Sequence, residues 1–390
     1  MRVGVDRRLA ATIAVLFLTT RGVVLTLAWL FENAIPRNYH GPTFSTAPIL
    51  RSLTTGDANH LLGIAAQGYH AEPLIGPFRD WPFFPLYPLI TRGASLLTGG
   101  DIALAGVLVS NLAFVVALVL LYHLAEPVIG GDGALLSLAF VALAPGAVAY
   151  SMAYSDSTFL VLAAGSLLAA QRGRWALMAV LYGLACLTRL QGLLLAIPLA
   201  IVMAQTGASW RTPRLAWLIA GPLGFGLFAV HLGLAFGQPL GMLTAQQAWA
   251  NSLEGGTPSA SAVPQATLPT QGAIETPGAV GLPAFQLDPV IVLFVGLLSA
   301  YLFLLVFLRR DRIPLAHRAY AIVSVVATLA AIVLNRTLLF SMNRYMAVVW
   351  PFSWVLANRR ATWFQATALG AMGVLFTLFA VLNLTQALAP

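Results

Sequence analysis

The sequence contains no lysine and few charges of either sign. Only 9% of its 390 residues are charged, and all 21 basic residues are arginine. Soluble proteins carry about 25% charged residues, so this chain has too little polar side-chain surface to cover a water-soluble globule. Its hydrophobic content of 59% and mean hydropathy of +0.84 therefore predict an all-α polytopic membrane protein.

Cysteine and the common cofactor motifs are also scarce. The single cysteine, Cys186, lies in an apolar run, which excludes a disulfide within the chain. The six histidines lack the spacing of metal ligands, and no glycine-rich nucleotide motif is present, so we expect no metal centre and no cofactor. The membrane-span pattern excludes a nucleic-acid module.

Apolar runs predict about eleven transmembrane helices in a single domain, residues 1–390, because about 20 residues cross the hydrocarbon core. Residues 83–98 are predicted to form a surface or re-entrant helix. The predicted spans are 9–31, 102–123, 134–150, 156–170, 174–187, 190–205, 215–236, 289–308, 317–335, 345–357 and 362–386.

Arginine placement predicts the orientation, since cytoplasmic loops are enriched in basic residues. The N-terminus is expected in the cytoplasm, with the chain in the cell inner (plasma) membrane and the first span uncleaved. Residues 32–101 then form the first extracytoplasmic loop. Residues 237–288 form the second, and its richness in Pro, Gly, Ser and Thr predicts partial flexibility.

The first loop concentrates polar side chains in GDANHLLGIAAQGYH, residues 56–70. Asp57 and His60 are three residues apart and would share one helix face. A carboxylate beside the bilayer, supported by an imidazole, suits a general base that acts on a hydroxyl. Asp57 equally fits a helix-capping role, because TTGD is a good helix start, and the two roles are compatible.

Two further motifs fall on the same predicted face. WPFFPLYP, residues 81–88, is interpreted mainly as an aromatic anchor in the membrane interface, with Tyr87 available to a lipid or sugar. AYSDSTF places Asp156 in a short turn between spans. That acid either pairs with a cation or caps the next helix.

Two arginines are candidates for binding phosphate. Both lie at the ends of predicted spans, Arg189 in LTRLQG and Arg344 in SMNRYM. Tyr345 directly follows Arg344 in the sequence. Guanidinium groups bind phosphate bidentately. The alternatives are an ion pair with Asp156 or a snorkelling side chain. Arg21, inside the first span, is interpreted as a buried hydrogen-bonding residue.

Five motifs in this order resemble the PIG-V type of mannosyltransferase: GDANHLLGIAAQGY, FFPLYP, AYSDSTF, QRGRW and LTRLQG. The resemblance covers about residues 50–200, and QQAWANSL with Gln246 and Trp249 also fits it. Gly56 stands where that family usually has tryptophan, and Asp156 where it usually has glutamate. Bacteria generally lack GPI anchors, so the acceptor of that family is not carried over.

The resemblance implies a GT-C glycosyltransferase bundle with its active site in the first outer loop. It implies a polyprenyl-phosphate-mannose donor and inverting transfer to a hydroxyl of a glycolipid or other extracytoplasmic acceptor, with Asp57 as general base. Arg189 and Arg344 would stabilise the departing phosphate, and His60 and Asp156 would orient Asp57 or bind sugar hydroxyls. The candidate substrate-binding residues are His60, Tyr87, Asp156, Arg189, Gln246, Trp249, Arg344 and Tyr345.

Two other functions remain open from the sequence. A transporter or flippase of an anionic lipid or lipid-linked sugar would need polar residues along a path through the bilayer, and the lack of an internal repeat argues against it. A non-catalytic membrane assembly factor would need no chemistry in the acid-rich loop. Protein partners are not identified by the sequence.

Overall fold

The computed structural model describes residues 6–34, 44–72, 79–206, 213–251, 296–304, 313–334, 341–358 and 362–384. These residues form helices and turns without strands, as lipid requires of a chain that must satisfy its own backbone hydrogen bonds. The helices are α1 (Arg7–Ala34), α2 (Pro48–Leu53), α3 (Asp57–Gln67), α4 (Leu86–Ser95), α5 (Ile102–Ala142), α6 (Asp156–Gln171), α7 (Trp175–Cys186), α8 (Ala196–Gln205), α9 (Ala220–Phe236), α10 (Gly241–Asn251), α11 (296–304), α12 (Leu315–Leu334), α13 (Met342–Ala347), α14 (Pro351–Ala357) and α15 (Thr362–Leu384).

Several of these helices are long and apolar enough to cross a membrane. In the described part of the chain they number five, and three shorter apolar helical segments lie between them. The five are Arg7–Asn33, Ile102–Ala142, Arg214–Phe236, Leu315–Ile332 and Thr362–Leu384. The membrane-protein class is therefore confirmed. Most of the predicted span 289–308 and of the predicted loop 237–288 lies outside the described residues.

Helix α5 combines two predicted spans, 102–123 and 134–150. Its 41 residues are interrupted at Gly130, whose φ of 75° and ψ of 166° are not helical. Pro127 lies just before the break and has no backbone N–H to donate. The second part ends at Ala142, earlier than predicted, because Pro145–Tyr150 forms a 3₁₀ turn.

The core forms around α6, which is buried on every side over most of its length. A helix that is apolar all round belongs in the interior of a bundle. The 3₁₀ turn Pro145–Tyr150 leads to its N-terminus and packs against α13. A Cβ at Gly146 would lie 2.3 Å from the carbonyl oxygen of Asn343, so a larger residue would push α13 away.

The aromatic block at 81–88 packs inside the protein. Trp81 and Phe84 join a small cluster with Phe228 on α9 and Met242 on α10. Tyr87 is fully buried on α4. The interpretation of this block as an interfacial anchor is therefore wrong for these three rings, because they hold the first loop against α5, α9 and α10.

Candidate functional site

Four charged side chains from separate segments line one cavity of about 280 Å³. Asp57 is the first residue of α3, Asp156 is the first residue of α6, and Arg344 lies on α13. Arg189 lies in extended backbone between α7 and the 3₁₀ turn Leu190–Leu195. Half of the remaining wall residues are apolar, namely Leu61, Pro82, Phe83, Phe84, Leu190, Leu194, Ala327 and Ala331.

Helix starts place both carboxylates at the cavity. The N-terminal turn of a helix favours negative charge, because its N–H groups and dipole face outward there. Gly56 is the N-cap of α3, and no side chain caps that helix, so Asp57 is a first-turn acid and not the cap. The same applies to Asp156, which follows Ser155 at the start of α6.

The four charges alternate in sign. Arg344 forms an ion pair with Asp57, and its Nε lies 3.6 Å from Oδ1 of Asp156. Arg189 forms an ion pair with Asp156 and donates from Nε to Oγ of Ser155 at 3.1 Å. Asp156 is completely buried, so two facing guanidinium groups are what its charge requires. The ion pair between Arg189 and Asp156 that the sequence left open is present.

Both guanidinium groups still have open hydrogen-bonding capacity. Nη1 of Arg189 and Nε of Arg344 are buried without a hydrogen-bond partner. A buried unpaired donor costs about 1–3 kcal/mol, more when charged. Both residues line the cavity, so their guanidinium groups present positive charge to an anionic ligand there, while these two nitrogens themselves are covered by the protein.

Two tyrosine rings hold the guanidinium groups. The ring of Tyr345 lies 5.7 Å from Cζ of Arg189 and 5.6 Å from Cζ of Arg344. The ring of Tyr154 lies 4.8 Å from Cζ of Arg344. Contacts at these distances are attractive cation–π interactions, so the rings fix both cations at the cavity wall.

Asp57 is the more accessible of the two carboxylates, with 28% of its side chain exposed. Burial disfavours its charged form, but Arg344, with smaller contributions from His60 and Arg189, outweighs this and lowers the pKa of Asp57 below its ordinary value. The carboxylate is therefore ionised at neutral pH.

His60 does not line the cavity. Its ring stacks on Phe83 with centroids 4.7 Å apart and planes 9° apart, and Phe83 does line the cavity. Burial lowers the pKa of His60 below its ordinary value, while Asp57 and Asp80 oppose that shift. A neutral His60 thus supports the aromatic wall.

The other predicted residues fall in different places. Tyr345 and Gln246 line the cavity. Tyr87 lies behind it, where its hydroxyl donates to the carbonyl oxygen of Gly106 at 2.8 Å and shares a hydrogen bond with Ser110. The side chain of Trp249 lies outside the described residues.

Several polar lining residues were not anticipated. Tyr154 and Ser155 lie beside Asp156 in AYSDSTF, so the motif contained a signal for them. Thr328 on α12 lies in an apolar run without any such signal. The unanticipated polar residues of the wall are Tyr154, Ser155, Thr188, Gln191, Thr328 and Ser341.

The described part of the chain contains no group of three or more His, Cys, Asp or Glu side chains placed to hold a metal ion. Asp57 and Asp156 instead face guanidinium groups. The charge partners of the cavity carboxylates are thus supplied by the protein itself.

Comparison with known families gives a partial match. The family described as dolichyl-phosphate-mannose-protein mannosyltransferase matches residues 80–233, which is less than half of the chain. Asp156 and Arg189 fall within this range, whereas Asp57 and Arg344 fall outside it. No curated protein matches the chain.

Comparison with solved structures identifies the fold. The crystal structure of ArnT from Cupriavidus metallidurans bound to undecaprenyl phosphate has a TM-score of 0.52 at 14% identity, covering 97% of this chain and 76% of that one. ArnT in the apo state gives 0.48 at 14% identity, covering 97% and 77%. The apo oligosaccharyltransferase of Archaeoglobus fulgidus gives 0.49 at 12% identity, covering 96% and 56%. The chain is thus an all-α membrane protein with the GT-C glycosyltransferase fold, as the sequence predicted.

Proposed function

We propose that this protein is a membrane glycosyltransferase. It transfers a mannosyl residue from a polyprenyl-phosphate-mannose donor to a hydroxyl of a glycolipid or other extracytoplasmic acceptor. The observation that supports this most is the cavity itself, which combines Asp57, Asp156, Arg189 and Arg344 with an apolar wall. A charged site beside an apolar surface suits a ligand with a phosphate head and a hydrocarbon tail.

The arginines are assigned to the phosphate of the donor. Arg189 and Arg344 both line the cavity, and guanidinium is well matched to phosphate oxygens. The apolar residues Leu190, Leu194 and Ala331 offer a surface for the first isoprene units. The ArnT structure with undecaprenyl phosphate supports a lipid of this class on the same fold.

Asp57 is assigned as the general base. As it takes the proton of the acceptor hydroxyl, the hydroxyl oxygen forms a bond to the anomeric carbon and inverts its configuration. The bond from that carbon to the phosphate oxygen breaks, and the electron pair leaves with the polyprenyl phosphate, stabilised by Arg189 and Arg344. Phosphate is a good leaving group, so no second acid is needed, unlike in glycosidases.

The sugar is assigned to the polar part of the wall. Gln246 and Tyr345 line the cavity, as do Gln191 and Ser341, and all four can form hydrogen bonds to hydroxyl groups. Trp249 on α10 and the completely buried Asp156 complete the proposed substrate-binding set, with Asp156 acting through the two arginines. Mannose is favoured by the description of the matching family and by the resemblance to PIG-V type enzymes.

The proposed location is the inner (plasma) membrane, with the N-terminus in the cytoplasm and the cavity on the extracytoplasmic side. The arginine distribution supports this orientation.

The test is transfer by the purified protein from polyprenyl-phosphate-mannose carrying a radiolabelled sugar, with a total membrane lipid extract as the source of acceptor. Asp57→Asn should lower transfer at least about 10³-fold, within the range for loss of a general base, while the protein stays folded. The matched control is Asp101→Asn, because Asp101 caps α5 away from the cavity and asparagine caps equally well.

Full activity in Asp57→Asn would remove Asp57 as the base. Failure to use any of a panel of polyprenyl-phosphate sugars would contradict the transferase itself, and use of another sugar would correct only the donor. Transport of the donor would leave its sugar–phosphate bond intact, so the same assay separates the two functions.

A further inference from the structure

Tyr154 contacts Arg344 and the turn that leads directly to Asp57, the two members of one ion pair. It precedes α6 and lines the cavity. Only 6% of its surface is exposed. Its two parts, the hydroxyl and the ring, face different partners. These partners come from the turn before α3 and from α13, which are far apart in the sequence.

The hydroxyl of Tyr154 holds the turn that leads into α3. It donates to the carbonyl oxygen of Thr55 at 3.1 Å. The next residue, Gly56, has a φ of +65°, and a Cβ there would lie 2.6 Å from the same hydroxyl oxygen. Glycine and tyrosine therefore fit each other at this turn, and the hydroxyl sets the direction from which Asp57 enters the cavity.

The ring of Tyr154 holds the cation. Its centroid lies 4.8 Å from Cζ of Arg344, and Arg344 in turn forms the ion pair with Asp57. One side chain thereby fixes the positions of the base and of its cationic partner relative to each other.

The backbone of Tyr154 is itself anchored from behind. Oγ of Ser110 donates to the carbonyl oxygen of Tyr154 at 2.8 Å, and Ser110 also shares a hydrogen bond with Tyr87. The neighbouring N–H of Ala153 donates to the carbonyl oxygen of Leu53 at 3.0 Å. These bonds leave Tyr154 little freedom to follow a shifted partner.

We propose that Tyr154 is a positioning residue of the transfer reaction, with its hydroxyl placing Asp57 and its ring placing Arg344. This inference rests on the proposed function. It assigns no contact with the reacting atoms to Tyr154, only the alignment of two groups that make such contacts. Small errors in alignment are costly, since a misplacement of about 1 Å can lower a rate about 10²-fold.

Two substitutions separate the two parts of the side chain. Tyr154→Phe removes the hydroxyl and keeps the ring, so kcat should fall about 10-fold while the KM for polyprenyl-phosphate-mannose stays within about 2-fold. Tyr154→Leu also removes the ring, so the KM for the donor should rise about 10-fold as well. An unchanged kcat in Tyr154→Phe would overturn the role of the hydroxyl, and identical kinetics in the two variants would overturn the role of the ring.

Tyr320→Phe is the matched control. The hydroxyl of Tyr320 also donates to a backbone carbonyl, that of Val348 at 3.0 Å, and its ring is also buried against a neighbour, Trp350. Tyr320 does not line the cavity. An equal fall in kcat in Tyr320→Phe would show general loosening of the bundle and would overturn the proposal.

A double substitution tests the fit between Tyr154 and Gly56. Gly56→Ala alone should be severely impaired, because its Cβ meets the tyrosine hydroxyl and a φ of +65° is strained for any residue with a Cβ. In Gly56→Ala combined with Tyr154→Phe the oxygen is gone, so the double variant should be more active than the product of the two single effects predicts. Independent effects of the two changes would contradict the contact.

Two measurements apply even if the wild-type protein transfers no sugar. Hydrogen exchange should be faster in Tyr154→Phe for the amides of residues 55–59, including that of Asn59, which donates to Gly56. Binding of undecaprenyl phosphate should weaken about 10-fold in Tyr154→Leu and remain unchanged in Tyr154→Phe. Unaltered exchange and unaltered lipid binding would overturn the positioning role, whereas absence of transfer alone would overturn only the proposed function.

Discussion

Buried arginines occur in two regions of this molecule, and their surroundings differ. Arg21, on α1, donates from Nε to Asn111 at 2.7 Å, from Nη1 to Thr20 at 3.0 Å and from Nη2 to the carbonyl oxygen of Tyr150 at 2.8 Å. Its guanidinium also lies 4.4 Å from the ring centroid of Phe114. Every nitrogen of the group has a neutral acceptor.

Arg189 and Arg344 have the opposite arrangement. Each forms an ion pair with a cavity carboxylate, and each keeps a buried nitrogen without a hydrogen-bond partner. A buried arginine whose donors are all used by neutral acceptors ties helices together, whereas one that lines a cavity can present its charge to an anion. The comparison assigns Arg21 to the fold and the other two to the site.

Among the arginines, the largest expected effect comes from Arg344→Gln. It removes the cation that contacts Asp57 and faces Asp156, so kcat/KM for transfer should fall about 10²–10³-fold, as for loss of one group that stabilises transition-state charge. Arg344→Lys is the control, because it keeps the charge but not the planar fork, and should recover part of the activity. Wild-type activity in Arg344→Gln would place Arg344 with Arg21 as a structural residue.

The pH dependence of the same variant sharpens this prediction. The charged groups that act on Asp57 are Arg344 first, then His60 and Arg189, and together they lower its pKa. A base with a lowered pKa stays ionised further into acid, so wild-type kcat/KM should begin to fall only below the ordinary carboxyl range. Loss of Arg344 removes most of that lowering and should move the acid limb to higher pH. An unmoved limb would show that Asp57 is not the titrating base.

A smaller effect is expected from Arg189→Gln. The KM for the donor should rise about 10–100-fold because a phosphate contact is lost, with less change in kcat. The substitution also leaves the buried carboxylate of Asp156 with one facing cation. The double variant Arg189→Gln with Asp156→Asn removes this charge imbalance. If the double variant had the donor KM of the wild type, Arg189 would compensate the charge of Asp156 and would not bind the donor.

The smallest effect on activity is expected from Arg21→Gln. Transfer should stay within about 3-fold of wild type, because Arg21 is absent from the cavity wall. Thermal unfolding should occur at lower temperature, since Asn111 and the carbonyl oxygen of Tyr150 lose their donor, at about 1–3 kcal/mol. A large loss of transfer without loss of stability would erase the distinction between the two regions.

The sequence was informative wherever local chemistry decides the outcome. Apolar runs predicted the membrane class and most helix positions, and Asp57, Asp156, Arg189 and Arg344 were recognisable as polar residues at helix ends on one predicted face. What it did not contain was the pairing of Arg344 with Asp57. Arg344 is 287 residues from Asp57 along the chain, and only tertiary packing brings them together.

The errors have the same physical origin. Tyr87 and the rings beside it were assigned to the membrane interface from residue type, but packing against α5, α9 and α10 buries them. His60 shares a helix with Asp57, and its ring stacks on Phe83 of the cavity wall without itself lining the cavity. Tyr154 had no charge to mark it, so its two contacts became apparent only in the fold.

The most direct test is the affinity of the purified protein for undecaprenyl phosphate, measured in one detergent for wild type, Arg189→Gln and Arg21→Gln. The place of Arg189 in the cavity wall predicts that binding weakens at least about 10-fold in Arg189→Gln and is unchanged in Arg21→Gln. Binding that is indifferent to Arg189, or that falls equally in both variants, would contradict the assignment of the cavity to a lipid phosphate.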